Sequence, residues 1–329
     1  MLILLASERH LTYNQPMNAL PEAYPAIHTT LLPAPLHRFV LAWAVMIGGL
    51  VGFWCCRPWL GTRAFNFGQL AVLLATWKIA SLLCLPPQAW ARFTPLRFLA
   101  YCVWIGMQPR QFLLGQRTAA GAPIPTLSGF LLNAVTGAVL LWLVPRLLPI
   151  GVPWAIRFWI ALVGFCFLFL VARLDFWALV FRALGFAVEK LWDCPIAATT
   201  LGDFWGRRWN RIGPGFLREV VFLPVARRAG AKVALLAVFL YSGLYHEGVS
   251  FMARSGYGGP ALYFLLQYVG VAIENTRPAR RLLRGRLWLA RAWTFAIVFL
   301  PVGLFLHPGL VDGYLVPMLV AGGVPGLER

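Results

Sequence analysis

The sequence predicts an all-α fold: a polytopic transmembrane bundle of about seven or eight spanning helices, with further interfacial or re-entrant helices. Three observations predict it. Of 329 residues, 60% are hydrophobic and only 12% charged, with mean hydropathy +0.72, whereas an ordinary soluble domain is roughly 45–50% apolar. Apolar windows recur at close to the roughly 20 residues that a bilayer core demands. Cations outnumber acids by 29 to 11, a net charge of +18, and they gather beside the apolar windows. That placement fits the positive-inside excess and interfacial snorkelling. Nucleic acid is set aside as a partner, because the cations do not form the single stripe that tracking a phosphate backbone requires.

Residues 1–37 carry Pro16, Pro21, Pro25, Pro33 and Pro35 among polar residues, so they read as a leader or surface segment that cannot propagate a spanning helix. The opening MLILLASERH has only a five-residue apolar run and no basic stretch before it, so no cleaved targeting segment is expected. Residues 38–329 read as a single membrane-embedded domain. Its expected spans are 38–56, 67–85, 127–148, 153–173, 232–252, 259–276 and 288–306. Two shorter windows, 93–108 with Arg97 and 174–189 with Arg182, are amphipathic and read as interfacial or re-entrant. The tail at 309–323, interrupted by Asp312 and Pro317, is the candidate eighth span. Cys55, Cys56, Cys84, Cys102, Cys166 and Cys194 form no C-x-x-C, and no histidine pair has metal-ligand spacing. They read as small hydrophobes, with Cys55 and Cys56 a minor candidate for palmitoylation. The preference for Arg over Lys suggests a GC-rich bacterial source, hence a bacterial inner membrane, with the endoplasmic reticulum as the other expectation.

Charge sets the orientation. Residues 203–232 hold seven cations (Arg207, Arg208, Arg211, Arg218, Arg227, Arg228, Lys232) and 277–291 hold six arginines, while the loop at 253–258 has only Arg254. Two spans that join basic flanks through a nearly neutral hairpin put both flanks on the cytosolic side.

Polar residues inside apolar windows carry the chemistry. His246 and Glu247 lie in VALLAVFLYSGLYHEGVSF, and Ser242, His246 and Ser250 share one helical face beside Gly243. A small, polar stripe of this kind should line a cavity, with Glu247 beside it. Ionisable residues are costly inside a membrane and mark reaction or ion paths by default. The competing reading is structural: His246 bonds between helices and Glu247 is its partner or pairs with Arg254. Tyr263, Gln267 and Glu274 of the next window form a candidate opposite wall.

The stretch LGDFWGRRWN at 201–210 reads in two ways. As an interfacial belt, Trp192, Phe204, Trp205 and Trp209 sit at headgroup depth beside snorkelling arginines. As a binding motif, Arg207, Arg208 and Arg211 grip phosphates through forked charge-assisted bonds, and Asn210 offers both a donor and an acceptor.

GDFWGRRWN at 202–210 and SGLYHE at 242–247, with His246 placed 36 positions after Asn210, together resemble the wax synthase branch of the membrane-bound O-acyltransferase superfamily. The resemblance covers about 190–306, including WTFAIVFLPVGLFLHP. It implies a helical membrane enzyme that moves an acyl group from acyl-CoA to the hydroxyl of a lipophilic alcohol, with His246 as catalytic histidine and Asn210 as the second site residue. Arg207, Arg208 and Arg211 with Trp205 and Trp209 would then hold acyl-CoA, and Ser242, Glu247, Ser250 and Gln267 would line the cavity. Acyl-CoA enters as co-substrate, and no metal or other cofactor is expected. A neutral imidazole can accept the hydroxyl proton, and an Asn amide can orient the acceptor or stabilise an oxyanion. Related branches acylate sterols or other polycyclic alcohols, so the acceptor class stays open. A transporter in which His246 and Glu247 relay protons is the reading from a different class. Metal-dependent prenyl transfer is disfavoured, since the four aspartates form no D-x-x-x-D pair.

A cysteine placed at Ser255 in the hairpin should react with an impermeant thiol reagent only from the non-cytosolic face. Labelling from the cytosol would reverse the orientation of both basic flanks.

Overall fold

The computed structural model describes residues 36–85, 87–90, 94–113, 123–149 and 151–328. The expected leader therefore lies, apart from its last two residues, outside the described residues. Among the described residues every regular element is helical.

Helices α1 (Leu36–Cys55) and α2 (Thr62–Leu83) form a hairpin, with Pro58 in the short turn between them. Gly49 lies against Thr76, and Gly68 against the Phe53 ring, too close to admit a Cβ without displacing those side chains. Small residues at a helix crossing let two helices approach without help from a hydrophobic effect. Helix α3 (Pro95–Val103) starts at an N-cap: the Thr94 hydroxyl accepts from the Arg97 N–H at 3.3 Å, and Pro95 occupies the first turn, where no partner for its nitrogen is needed. Leu96, Phe98, Leu99 and Val103 stay exposed while Tyr101 is buried, the one-sided burial expected of the 93–108 window.

Helices α4 (Leu127–Leu147) and α5 (Trp154–Ala183) cross where Gly137 faces the backbone of Leu168 and Gly164 faces that of Leu141. A Cβ on Gly164 would lie 2.5 Å from the Leu141 nitrogen. Each helix widens locally into a π-helical turn, at Val139–Leu143 and Cys166–Ala172, and each turn carries the residue that the facing glycine touches, Leu141 or Leu168. Arg157, buried on α5, donates to the carbonyls of Pro145, Leu148 and Pro149, which end α4. A cation there meets carbonyls that have no helical donor.

Here the structure corrects the sequence reading. The windows 153–173 and 174–189 do not separate; α5 runs unbroken for 30 residues to Ala183. The acid near the start of that window, Asp175, is buried and satisfied: Asn133 Nδ2 donates to it at 2.9 Å and Lys190 Nζ lies at 3.4 Å. With its charge matched inside the protein, the helix has no reason to stop. The 174–189 segment is thus not a separate interfacial helix.

Beyond α5 a strap (184–200), irregular except for one 3-10 turn at Pro195–Ala197, leads to the motif. Helix α6 (Ile212–Leu217) follows, then a π-helical turn (Arg218–Phe222), and then α7 (Leu223–Ala253), which kinks at Gly230 where φ is +83°. Helix α8 (Gly259–Glu274) returns against α7, α9 (Arg277–Leu283) is short, and α10 (Leu287–Phe305) and α11 (Pro308–Ala321) complete the chain.

By length and composition, four helices can cross a membrane: His37–Cys55, Leu127–Leu147, Trp154–Ala183 and Leu287–Phe305. The other expected spans fall on α2, α7, α8 and α11, which do not meet that measure. In α8 the reason is length: its 16 residues extend about 24 Å, short of the roughly 30 Å core. In α7 the cations Arg227, Arg228 and Lys232 occupy the first third, and Glu247 lies in the remainder. Even so, α8 is two-faced: Leu262, Leu266, Val269 and Ile273 are exposed, while Tyr263, Gln267, Gly270 and Glu274 are buried. The chain is a helical membrane protein whose outward apolar faces suit lipid.

Gly164→Leu should collapse the α4–α5 crossing, since the obstructing atoms are backbone and cannot rotate away. Overpacking costs about 1–3 kcal/mol or more, so thermal unfolding in detergent should show a clear loss of Tm. Gly52→Ala, with nothing within 4 Å of the added carbon, should leave Tm unchanged.

Candidate active site

The site grows from the motif turn. Thr200 caps a short helix, Leu201–Asp203, by accepting from the Asp203 N–H at 2.9 Å. The carboxylate of Glu274 on α8 accepts from the Leu201 N–H, also at 2.9 Å, tying this turn to the end of α8. A π-helical turn, Phe204–Arg208, then widens the chain enough for Arg207 and Arg208 to reach back to the same acid.

Asp203 is buried and takes both arginines. Arg207 donates from Nε to Oδ1 at 2.8 Å, and Arg208 from Nε to Oδ2 at 2.6 Å. Arg208 also donates to the Asp193 carbonyl at 3.1 Å, and Arg211 pairs with Glu189 of the strap at 2.7 Å. Burial holds the Glu189 carboxyl above its ordinary value, although Arg211 and Arg182 act in the opposite direction. Two backbone bonds complete the attachment, Asp193 N–H to Arg208 C=O at 3.0 Å and Arg211 N–H to Leu191 C=O at 2.8 Å. The three arginines expected to grip phosphates are therefore all engaged with acids of this chain. Of the three, only Arg207 has more than half of its side chain exposed.

Asn210 sits between those two backbone bonds with φ at +40°, in the left-handed region that Asn tolerates better than most residues. Its Oδ1 is buried with no partner. Trp209 stacks on Phe204 at 5.3 Å and meets Trp192 edge-on at 4.4 Å. Trp205 donates from Nε1 to Gln267 Oε1 at 3.2 Å, and the other end of that amide donates to the Ile297 carbonyl at 2.8 Å.

His246 lies on α7, partly buried. Its Nδ1 is 2.7 Å from the Ser242 carbonyl oxygen, so Nδ1 carries the proton and donates, and Nε2 is left with a free lone pair. The ring stacks on Phe264 at 4.7 Å and meets Tyr245 and Phe305 edge-on at 4.7 and 5.3 Å. Phe264 in turn lies 5.5 Å from Trp205, and Trp205 6.4 Å from Trp209. A continuous set of aromatic rings thus leads from the residue before Asn210 to His246. No hydrogen bond joins Asn210 and His246 directly among the described residues.

Other expected residues take different places. Ser242 contributes its carbonyl, while Ser250 is fully buried and donates to the Gly256 carbonyl at 3.1 Å. Glu247 turns away from His246 and from Arg254: it accepts from the N–H groups of Gly258 at 3.0 Å and Ala261 at 2.9 Å, at the start of α8. Tyr263 donates to the Val298 carbonyl at 3.1 Å, so the face of α8 carrying Tyr263, Gln267 and Glu274 is glued to α10 and to the motif turn. Phe264 and Phe305, which flank the histidine, escaped the sequence reading, because an apolar ring on an apolar helix carries no signal of its own. The pairing of Asp203 with Arg207 was visible as four-residue helical spacing.

Residues 188–267 match the Membrane bound O-acyl transferase family. The chain is 35% identical over 152 residues to the "Probable long-chain-alcohol O-fatty-acyltransferase 3" of Arabidopsis thaliana, covering 42% of this chain and 44% of that protein. It is 32% identical over 160 residues to the "Long-chain-alcohol O-fatty-acyltransferase" of Simmondsia chinensis, covering 45% and 43%. It is 35% identical over 102 residues to the "Acyl-CoA--sterol O-acyltransferase 1" of Arabidopsis thaliana, covering 27% and 30%. The likeness to the wax synthase branch of the membrane-bound O-acyltransferases stands over this segment. The matched part spans less than half the length of each of these acyltransferases, and no solved structure matches. All three are plant proteins, which lends nothing to a bacterial membrane. The segment shared with the family holds Asp203, Asn210, His246 and Gln267, so it includes both motifs and the aromatic path between them.

Arg208→Ala should remove one of the two guanidiniums on buried Asp203 and release the Asp193 carbonyl. A hydrogen bond to a charged group contributes about 1.5–3 kcal/mol, so Tm should fall clearly. Asp203→Asn should lower Tm as well, and the double variant should lose less than the sum. Additive losses would separate the two residues energetically.

Proposed function

We propose that the chain is an acyl-CoA-dependent O-acyltransferase that esterifies a lipophilic alcohol, with His246 as general base. The observation that carries this reading is the commitment of Nδ1 to the Ser242 carbonyl. It leaves Nε2 bare on a ring whose aromatic contacts continue through Phe264 and Trp205 to Trp209, next to Asn210. In this scheme Nε2 takes the hydroxyl proton as the alcohol oxygen attacks the thioester carbonyl. The tetrahedral intermediate collapses, the C–S bond breaks, and the imidazolium returns its proton to the departing CoA thiolate. Such a base contributes roughly 10² to 10⁴ in rate. The Asn210 side chain would orient the acceptor or stabilise the oxyanion through its Nδ2 donors.

Of the three arginines expected to bind the donor, Arg207, the most exposed, would meet a phosphate, while Arg208 and Arg211 would hold the turn's shape. Trp205 and Trp209 would flank the acyl-pantetheine arm. No cofactor enters the scheme beyond acyl-CoA as co-substrate. The whole chain would cross the membrane seven or eight times, with α2, α7, α8 and α11 spanning as part of the bundle and both basic flanks on the cytosolic side of an endoplasmic-reticulum-type or bacterial inner membrane.

A sterol or other polycyclic acceptor is the second reading, favoured by the likeness to a sterol acyltransferase. Incubating purified protein with labelled acyl-CoA and a mixture of fatty alcohols and sterols, then identifying the esters, separates the two. A proton-relay transporter gains nothing from Glu247, whose carboxylate faces backbone N–H groups.

His246→Gln keeps bulk and hydrogen bonding yet cannot accept a proton near neutral pH. It should lower kcat by at least about 10² at equal expression and Tm. Ester formation at the wild-type rate would return His246 to a structural role.

A further inference from the structure

We infer that Glu247 is a positioning residue for His246, acting as an α8 cap supplied from the neighbouring helix. The inference rests on the reading of His246 as base. A helix start leaves N–H groups without partners, and a side chain just before the helix usually satisfies one of them. Gly258, which occupies that place in α8, has no side chain and sits at φ +82°. Glu247, eleven residues earlier and on α7, fills the gap: Oε2 accepts from the Gly258 N–H and Oε1 from the Ala261 N–H. Both carboxylate oxygens are engaged by backbone donors at the positive end of a 16-residue helix, where a negative charge is favoured.

This cap lies next to the base in sequence and governs its surroundings in space. One turn before Glu247, Gly243 rests on Ala261, and a Cβ there would lie 2.8 Å from the Ala261 α-carbon. One residue before Glu247, His246 stacks on Phe264, which is three residues beyond Ala261 on α8. The same segment of α8 is therefore held by the Glu247 carboxylate and forms the surface against which the imidazole rests. At the far side of the hairpin, Ser255 contacts His307 Nδ1 at 3.3 Å and Ser250 bonds Gly256, so the loop itself is closed independently of Glu247. Loss of the carboxylate should let the first turn of α8 shift against α7 while the hairpin stays shut. The displaced part is the one that orients the ring, and a misplacement near 1 Å can cost about 10² in rate.

The test compares wild type, Glu247→Gln and Glu247→Ala in kcat, in KM for acyl-CoA and alcohol, in pH–rate profile, and in amide hydrogen exchange over residues 256–264. Glu247→Ala should speed exchange there and lower kcat about 10- to 100-fold, with both KM values within about threefold of wild type. Glu247→Gln keeps one acceptor oxygen and should recover most of kcat, with the pH profile unchanged in shape. The inference is overturned if Glu247→Gln is as inactive as Glu247→Ala with a limb of the pH profile lost, which would make Glu247 a proton carrier. It is equally overturned if exchange is unchanged in Glu247→Ala, or if kcat is unchanged while exchange quickens. Full activity in His246→Gln would instead remove the base reading, and the exchange data would still report on the cap.

Discussion

The architecture depends on a buried carboxylate that needs two guanidiniums. Asp203 is almost closed to solvent, and an ionised acid in that position is costly unless it is paired and hydrogen-bonded. Arg207 and Arg208 satisfy it from a single turn, which forces the chain at Phe204–Arg208 into a widened π-helical path. From that one pairing follow the direction of Trp205 toward Gln267, the stacking of Trp209 on Phe204, and the left-handed backbone at Asn210. Arg208 carries the constraint outward to the strap through the Asp193 carbonyl.

The turn is also where separate parts of the core meet. Trp209 packs against the cluster of Tyr101, Trp104, Phe112 and Leu191 and against that of Leu201, Phe204, Phe239 and Phe264. Ile212 joins the first of these to a third cluster containing Trp77, Phe216 and Tyr245. With lipid outside, apolar burial alone cannot decide which helix faces which, because the bilayer is as apolar as the interior. Directional contacts must do so. Asp203, Glu274, Glu247 and Arg157 supply them, each matched to backbone or ionic partners from another segment or turn.

Close backbone contact at glycine supplies the remainder. Gly137 and Gly164 join α4 to α5, and Gly243 joins α7 to α8, at separations that exclude any side chain. The α7–α8 contact lies one turn from His246, so close helix packing and the seat of the imidazole share the same few residues. A helix carbonyl fixes the histidine tautomer, and Phe264, Tyr245 and Phe305 hold its ring, so the imidazole has little freedom to reorient.

Composition and motif spacing alone mark this chain as a membrane protein and single out its two motifs. Hydropathy marks membrane helices because a bilayer admits no unpaired backbone. His246 stood out because ionisable groups are expensive in apolar windows, and GDFWGRRWN because clustered arginines and tryptophans are unusual. Tertiary structure decided what those groups touch. Nothing local indicates that Glu247 would cap α8, that Arg211 would pair with Glu189, or that Phe264 would carry the imidazole. Nor could charge pattern alone show that α5 continues through Asp175, since its partner Lys190 lies beyond the helix end. The physical reason is the same throughout. Hydrophobicity and charge are properties of a residue, whereas the satisfaction of a buried polar group is a property of a pair, and the second member is chosen only when distant segments meet.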